Sequence, residues 1–301
     1  MSVDEDPIHF QSVEEFTARP SYVSPLRIAS EELEKIAGKY VFPFEIACSL
    51  NGCTRPHKKG FIIRTRSGLE TNCGHLCGKR EFGVEWDELH ARFMKAEDAA
   101  LARKMAAQLL QDRDALLLQA QNAVPQLNAA AQGISFFNKC FGLRSSFMHQ
   151  LQTCLKQGGG VMADKPRTEF DIQNNQPAVR MLVASIKGAG ALVTDHAALL
   201  NSIARTHIPW LQSLELPQVQ GLETIQIQAL LKQAQAAREQ IAKAERFVAD
   251  AQAFNTPENA KAFEAIRSLL MRKGRERDDL EQVIQKWVNG LPALSAASAS
   301  A

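Results

Sequence analysis

The residues best suited to chemistry are four cysteines in two close pairs, Cys48-x4-Cys53 and Cys73-x3-Cys77, with nineteen residues between the pairs. Two short thiolate loops facing each other across a hairpin supply the tetrahedron of soft ligands that Zn2+ prefers. Glycines stand where the backbone must turn tightly around such an ion: Gly52 before Cys53, then Gly74 and Gly78 around Cys77. Two histidines offer alternative ligands. Cys53-x3-His57 is also metal-compatible spacing, and His75 lies inside the second loop. Cys48 ends an apolar run, YVFPFEIAC, and reads as a plain core thiol in a third alternative that uses no metal.

Between the pairs, Gly60–Arg66 (GFIIRTR) has the β-branched and aromatic content of a strand. Ser67-Gly68 is a turn dipeptide, and Leu69-Glu70-Thr71 can run back as a short strand. A helical period begins at Val84. Knuckle, hairpin and a second pair leading into a helix resemble the treble-clef and zinc-ribbon class of zinc fingers, over about forty of the 301 residues. That class usually spaces its cysteines CxxC, so the two loops here are longer by two residues and by one. The resemblance implies one structural Zn2+ on Cys48, Cys53, Cys73 and Cys77. A module of this size buries too little apolar surface to fold alone. Metal binding would supply the missing free energy, on the order of 10 kcal/mol. Four thiolates also close the shell, whereas a catalytic zinc keeps an open position.

The net charge is only +2, but it is unevenly spread. Residues 1–37 hold eight acidic and three basic side chains. Arg55, Lys58, Lys59, Arg64, Arg66, Lys79 and Arg80 face Glu70 as the one acid between residues 55 and 80. Such a cluster can neutralise nucleic-acid phosphates, with Phe61 and Phe82 available for stacking. It can equally offset the charge of a thiolate–zinc centre.

These residues must be positioned by a mostly helical chain. The expected fold is mainly α: a small α+β zinc module followed by long antiparallel helices in a coiled-coil-like hairpin or bundle. Residues 1–29 read as a flexible arm with one helical turn near Ser12–Phe16. Residues 30–83 read as the zinc-binding β-hairpin module, with Ser30 capping a short helix over residues 31–37 that Gly38 ends, and with an edge strand from Tyr40 to Cys48 carrying Pro43. Residues 84–157 form a first helical segment. Its seam is Trp86, Leu89, Phe93, Ala96, Ala99, Ala102, Ala106, Leu109, Arg113, Leu116, Ala120 and Ala123, and Pro125 should kink or end it. The apolar stretch that follows should break near Gly133 or Gly142, with Cys140 and Cys154 as core thiols. Residues 158–176 read as a Gly-rich loop able to hold a small hairpin. Residues 177–291 form a second helical segment that Pro177 opens, with Pro217 and Gly221 marking a turn within it. Its cleanest heptad is Ile227, Leu230, Ala234, Ala237, Ile241, Ala244, Val248 and Ala251. Thr256-Pro257 restarts a helix, residues 272–279 read as a charged hinge, and residues 292–301 as a disordered tail.

No HExxH, GxSxG, GxGxxG, P-loop or EF-hand pattern occurs. His90, His149, His196 and His207 are scattered over helical stretches, where a lone imidazole is usually satisfied or solvated. No nucleophile, base and orienting group assemble, so no catalytic residues and no enzyme are expected. No small-molecule substrate is evident. No apolar run reaches eighteen residues, and the acidic start MSVDEDPIHF is unlike a secretory signal. The expectation is a cytoplasmic protein that meets no membrane and acts by binding. Long amphipathic helices would associate with a protein partner or a second copy, through positions such as Leu230, Ile241 and Val248. The alternative is weakly sequence-specific nucleic-acid binding by the basic hairpin.

Overall fold

The structure is a computed structural model that describes residues 7–29, 32–142, 145–215, 222–272 and 279–299. It is mainly α, with a small sheet preceding one very long helix. The chain divides into two units: Met1–Gln108 with Pro217–Leu231, and Leu109–Leu216 with Lys232–Ala301.

The first unit is built on a four-stranded sheet of order β1-β2-β3-β4. Its strands are β1 (Ile8–Phe10), β2 (Leu33–Ala47), β3 (Pro56–Thr65) and β4 (Glu70–Cys73). β1 runs parallel to β2, and the other pairings are antiparallel. The short helix α1 (Val13–Thr17) is capped by the Ser12 hydroxyl, so the region read as an arm carries both a strand and a helix. Residues 33–37 are strand and not helix, because β2 begins at Leu33; Ser30 and Glu31 lie outside the described residues. From Ile36 to Phe42 every second residue is buried, the period of a strand. Sheet pairing outweighs the acidic helix-start signal there. Gly38 ends nothing. A Cβ at this position would lie 2.6 Å from the Phe10 ring and 2.7 Å from the Ile8 carbonyl, so glycine lets β1 approach β2. β1 lies beside β2 only at Gly38–Tyr40, so among the described strands the stretch carrying Pro43 has β3 as its one neighbour, as an edge position requires. Pro43 is tolerated because it falls between Val41 and Ile46, where the pairing with β3 is irregular.

The helix α2 (His75–Phe141) starts nine residues before Val84, and its one non-helical residue is Gly83, with φ 54°. Pro125 neither ends nor breaks it, because the buried stripe continues through Leu127, Ile134, Phe137 and Phe141 and holds the helix in register. Proline still removes one helical hydrogen bond and crowds the preceding turn. Pro125→Ala is therefore expected to stabilise the second unit by about 1–3 kcal/mol, visible as a raised unfolding midpoint. The expected seam is buried from Trp86 to Ala123 except at Ala96, Ala99 and Arg113, which are half-buried. Arg113 has a reason to be there: its Nη1 donates to the Leu214 carbonyl at 2.6 Å.

In the second unit, Gly142 (φ 70°) ends α2, and α3 (Ser146–Lys156) follows. Gly133 stays helical. The Gly-rich stretch does hold a hairpin, but one that extends into the expected helix start: β5 (Gly160–Asp164) pairs with β6 (Arg180–Ser185), with the short helix α4 (Glu169–Gln173) between them. The run Met181–Ala184 is strand-forming and pairs with Val161–Ala163, so Pro177 opens no helix. Next come α5 (His196–Asn201), a π-turn over Ser202–His207, α6 (Ile208–Ser213), α7 (Thr224–Phe254), α8 (Asn259–Arg272) and α9 (Leu280–Ala299). Pro217, Gly221 and nearly all of the 272–279 hinge lie outside the described residues, and so do the last two residues of the tail.

α2 and α7 do not run antiparallel. Asp112 pairs with Arg238 at 3.4 Å and Phe137 meets Phe254 at 4.9 Å, so both helices advance in the same direction. The intervening chain makes the return. The buried side of α7 is Ile227, Ala234, Ala237, Ile241, Ala244, Phe247, Ala251 and Phe254. Leu230 and Val248 are only half-buried; Phe247 takes the place of its neighbour Val248. Phe137, Phe141, Phe147, Phe254, Phe263 and Trp287 form one aromatic cluster, with rings 4.5–6.5 Å apart.

His207 is neither solvated nor satisfied. It is buried and its Nδ1 has no hydrogen-bond partner among the described residues. Burial lowers its pKa from the ordinary 6.5. The unfolded chain then binds this proton more readily than the folded one, so the contribution to stability is present above pH 6.5 and lost as pH falls below it. Denaturation midpoints should decline on acidification through that range, and His207→Phe should remove this share of the decline.

Candidate metal centre

The knuckle begins where β2 ends. Cys48 N–H donates to the Arg55 carbonyl at 3.1 Å, and Cys53 N–H to Leu50 at 2.9 Å. Asn51 (φ 50°) and Gly52 (φ 71°) make the reversal, which is why glycine precedes Cys53. Asn51 is also tied down by its side chain, which accepts from Ile28 N–H and donates to Glu81. On the other side of the site, Cys77 lies in the first turn of α2. Gly78 follows because a Cβ there would collide with the Trp86 ring. Trp86 is fully buried with Cys48, Cys73, Cys77, Phe82 and Phe93, so the site sits on the hydrophobic core of the first unit.

Three thiols converge. The sulfurs of Cys48, Cys53 and Cys77 all lie within 4.8 Å of one another, and Cys53 and Cys77 are 3.5 Å apart. These three can hold a metal ion, in keeping with the zinc reading of the sequence. Cys73 is not part of that group. It is wholly buried at the end of β4, opposite Phe61. Its strand position directs it into the core, a constraint that loop spacing does not reveal. All six cysteines are free thiols.

The histidines are engaged elsewhere. His57 Nε2 meets the Tyr40 hydroxyl at 2.5 Å and Nδ1 meets the Arg55 carbonyl at 3.2 Å. His75 Nδ1 accepts from the Trp86 indole at 3.3 Å, and its ring packs 4.8 Å from that of His90. Burial lowers the His90 pKa, with the neighbouring His75 adding to the effect.

The three thiols differ electrostatically. A backbone hydrogen bond at Arg55 holds the Cys53 thiol below its usual value, aided by the Arg80 side chain. Burial raises Cys48, and burial pushes Cys77 up to about 12. Without a cation the site is therefore costly to ionise; a divalent ion reverses that balance.

The seven basic residues are not gathered on one face. Arg64 pairs with Glu70, Lys79 with Asp87, and Arg80 with Glu81. Arg55, Lys58, Lys59 and Arg66 are exposed. Lys58 and Lys59 are adjacent on β3, so they project to opposite sides of the sheet. Sequence reasoning missed the most buried charge of the unit. Glu70 is fully buried and accepts from Arg19 Nε at 2.7 Å and Nη2 at 3.1 Å. Its signal was its isolation, one acid on a strand amid seven bases.

The chain is thus a mainly α protein with a small sheet and a cysteine cluster suited to a metal ion. No known family matches it, and no curated protein or solved structure is detectably similar. Among the described residues, no helix is long and apolar enough to cross a membrane.

Proposed function

We propose that this is a non-catalytic binding protein, in which one Zn2+ on Cys48, Cys53 and Cys77, its fourth position left to a further ligand, fastens the sheet to the start of α2, and the outer side of that helix associates with protein, foremost a second copy. The observation that carries the reading is on α2. Its Ala102 and Ala106 are buried within the first unit, while Leu101 and Met105, one turn apart, are 56% and 50% exposed. The heptad of α7 does not serve this role, since Ile241 and its buried neighbours are already covered within the chain. The basic residues support charge balance better than phosphate tracking, because three are paired with carboxylates and Arg80 also reaches Cys53.

Sedimentation equilibrium tests this. The wild-type mass should rise toward a dimer with concentration, and Leu101→Asp with Met105→Asp should hold the chain at monomer mass with its unfolding midpoint unchanged. A wild type that stays monomeric at every concentration, matched by the double variant, would overturn the proposal.

A further inference from the structure

We propose that a cleft of about 490 Å3 in the first unit, between the β1–β2 edge of the sheet and one stripe of α2, docks an acidic peptide segment of a partner protein that also carries apolar side chains. This rests on the binding reading above but uses a different surface.

The walls are cationic: Lys35 from β2, with Arg92, Lys95 and Arg103 from α2. Glu34 is the one carboxylate among the described lining residues. On α2, residues 92, 95, 96, 99 and 103 recur at helical spacing and so share one side. Ala96 and Ala99 keep the floor of that stripe low. Arg92 and Arg103 are eleven residues apart, about 16 Å of helix. An extended peptide covers that distance with about five residues. A compact anion would want its cations converging on one point, whereas Arg92, Lys95 and Arg103 are spread along α2, and Ile8, Ile36 and Phe93 also line the cleft. Ile8, 36% exposed at the cleft, suits an apolar side chain better than a sugar–phosphate backbone. Phe93 is buried, so it gives a nucleobase no open ring face to stack on. The strand beside the cleft, β1, is the terminal strand of its sheet, so a docked peptide would also find a strand edge.

The test is fluorescence anisotropy of the full chain with a short labelled peptide of alternating Glu and Leu. The comparison probes are its Lys/Leu counterpart and an oligothymidylate of equal charge. The acidic peptide should bind, and should weaken with added salt. Arg92→Glu with Lys95→Glu, both exposed positions, should reduce its affinity about tenfold or more while the unfolding midpoint holds. Equal binding of the Lys/Leu peptide, an unchanged affinity in the charge-reversed chain, or an oligothymidylate that binds as tightly would each sink the proposal. If the peptide fails while the wild type still dimerises through Leu101 and Met105, the groove is wrong and the binding reading survives. If the wild type stays monomeric and the peptide still binds as expected, the groove stands without that interface.

Discussion

Native mass spectrometry of the full chain is expected to find one Zn2+ per molecule, and Cys48→Ser, Cys53→Ser or Cys77→Ser to lose it. The first unit should lose its cooperative fold along with the metal. These three sulfurs form one group within 4.8 Å, and each variant removes one corner of it. A structural zinc contributes on the order of 10 kcal/mol, more than the whole stability of many domains, so partial unfolding is the direct consequence. Chelation of the wild type should reproduce the effect. Cys73→Ser discriminates further. Its sulfur lies outside the group and inside the core, so the expected outcome is retained metal with about 1–3 kcal/mol lost to a buried hydroxyl. Zinc lost from Cys73→Ser as completely as from Cys77→Ser would show instead that this thiol turns inward to complete a four-sulfur shell. A wild type free of metal would remove the centre altogether.

Glu70→Ala should cost the first unit about 3–5 kcal/mol, the largest loss expected away from the cysteines. The carboxylate is wholly buried, held by two hydrogen bonds from Arg19 and by Arg64 Nε at 3.5 Å. Deleting it leaves Arg64, whose Nε is covered and without a hydrogen bond although the side chain is 32% exposed, short of its carboxylate. Its backbone also matters, since Glu70 N–H donates to Ser21 and its carbonyl accepts from Val23, which ties the segment after α1 to β4. Urea denaturation of Glu70→Ala, Arg64→Met and the double variant would measure this. The double variant should recover part of the loss, because only Arg19, which reaches solvent, is then left without its carboxylate. A single-variant cost under about 1 kcal/mol would mean the pair is solvated in solution.

Much of the helical part was legible because its signal is periodic and local. Ala102, Ala106, Leu109, Leu116, Ala120 and Ala123 recur by threes and fours once Arg113 is counted between Leu109 and Leu116, and these six are buried. Where two signals competed, the nonlocal one prevailed. Glu31, Glu32 and Glu34 suggest a helix start, yet β2 begins at Leu33, because Leu33, Lys35 and Ile36 pair with β3. Pro125 marks a break by its own chemistry, but packing on both sides of it keeps α2 continuous. Met181–Ala184 has apolar residues compatible with either period, and only pairing with β5 made it a strand.

The same division runs through the candidate metal site. Residue type and spacing alone brought Cys48, Cys53 and Cys77 into view, because soft ligands on tight glycine turns are a property of the local chain. Which sulfurs meet depended on the tertiary structure. The hairpin β3–β4 sets where Cys73 points, and the Trp86 ring against Gly78 sets where the first turn of α2 can lie. The histidines were alternative ligands by spacing, and the Tyr40 hydroxyl and Trp86 indole claimed them. Composition determined that the chain would be mostly helical, with one thiol-rich module. The direction in which α2 and α7 run, and which apolar residues stay uncovered, followed only from long-range packing, because burial is shared between segments that no local window contains together.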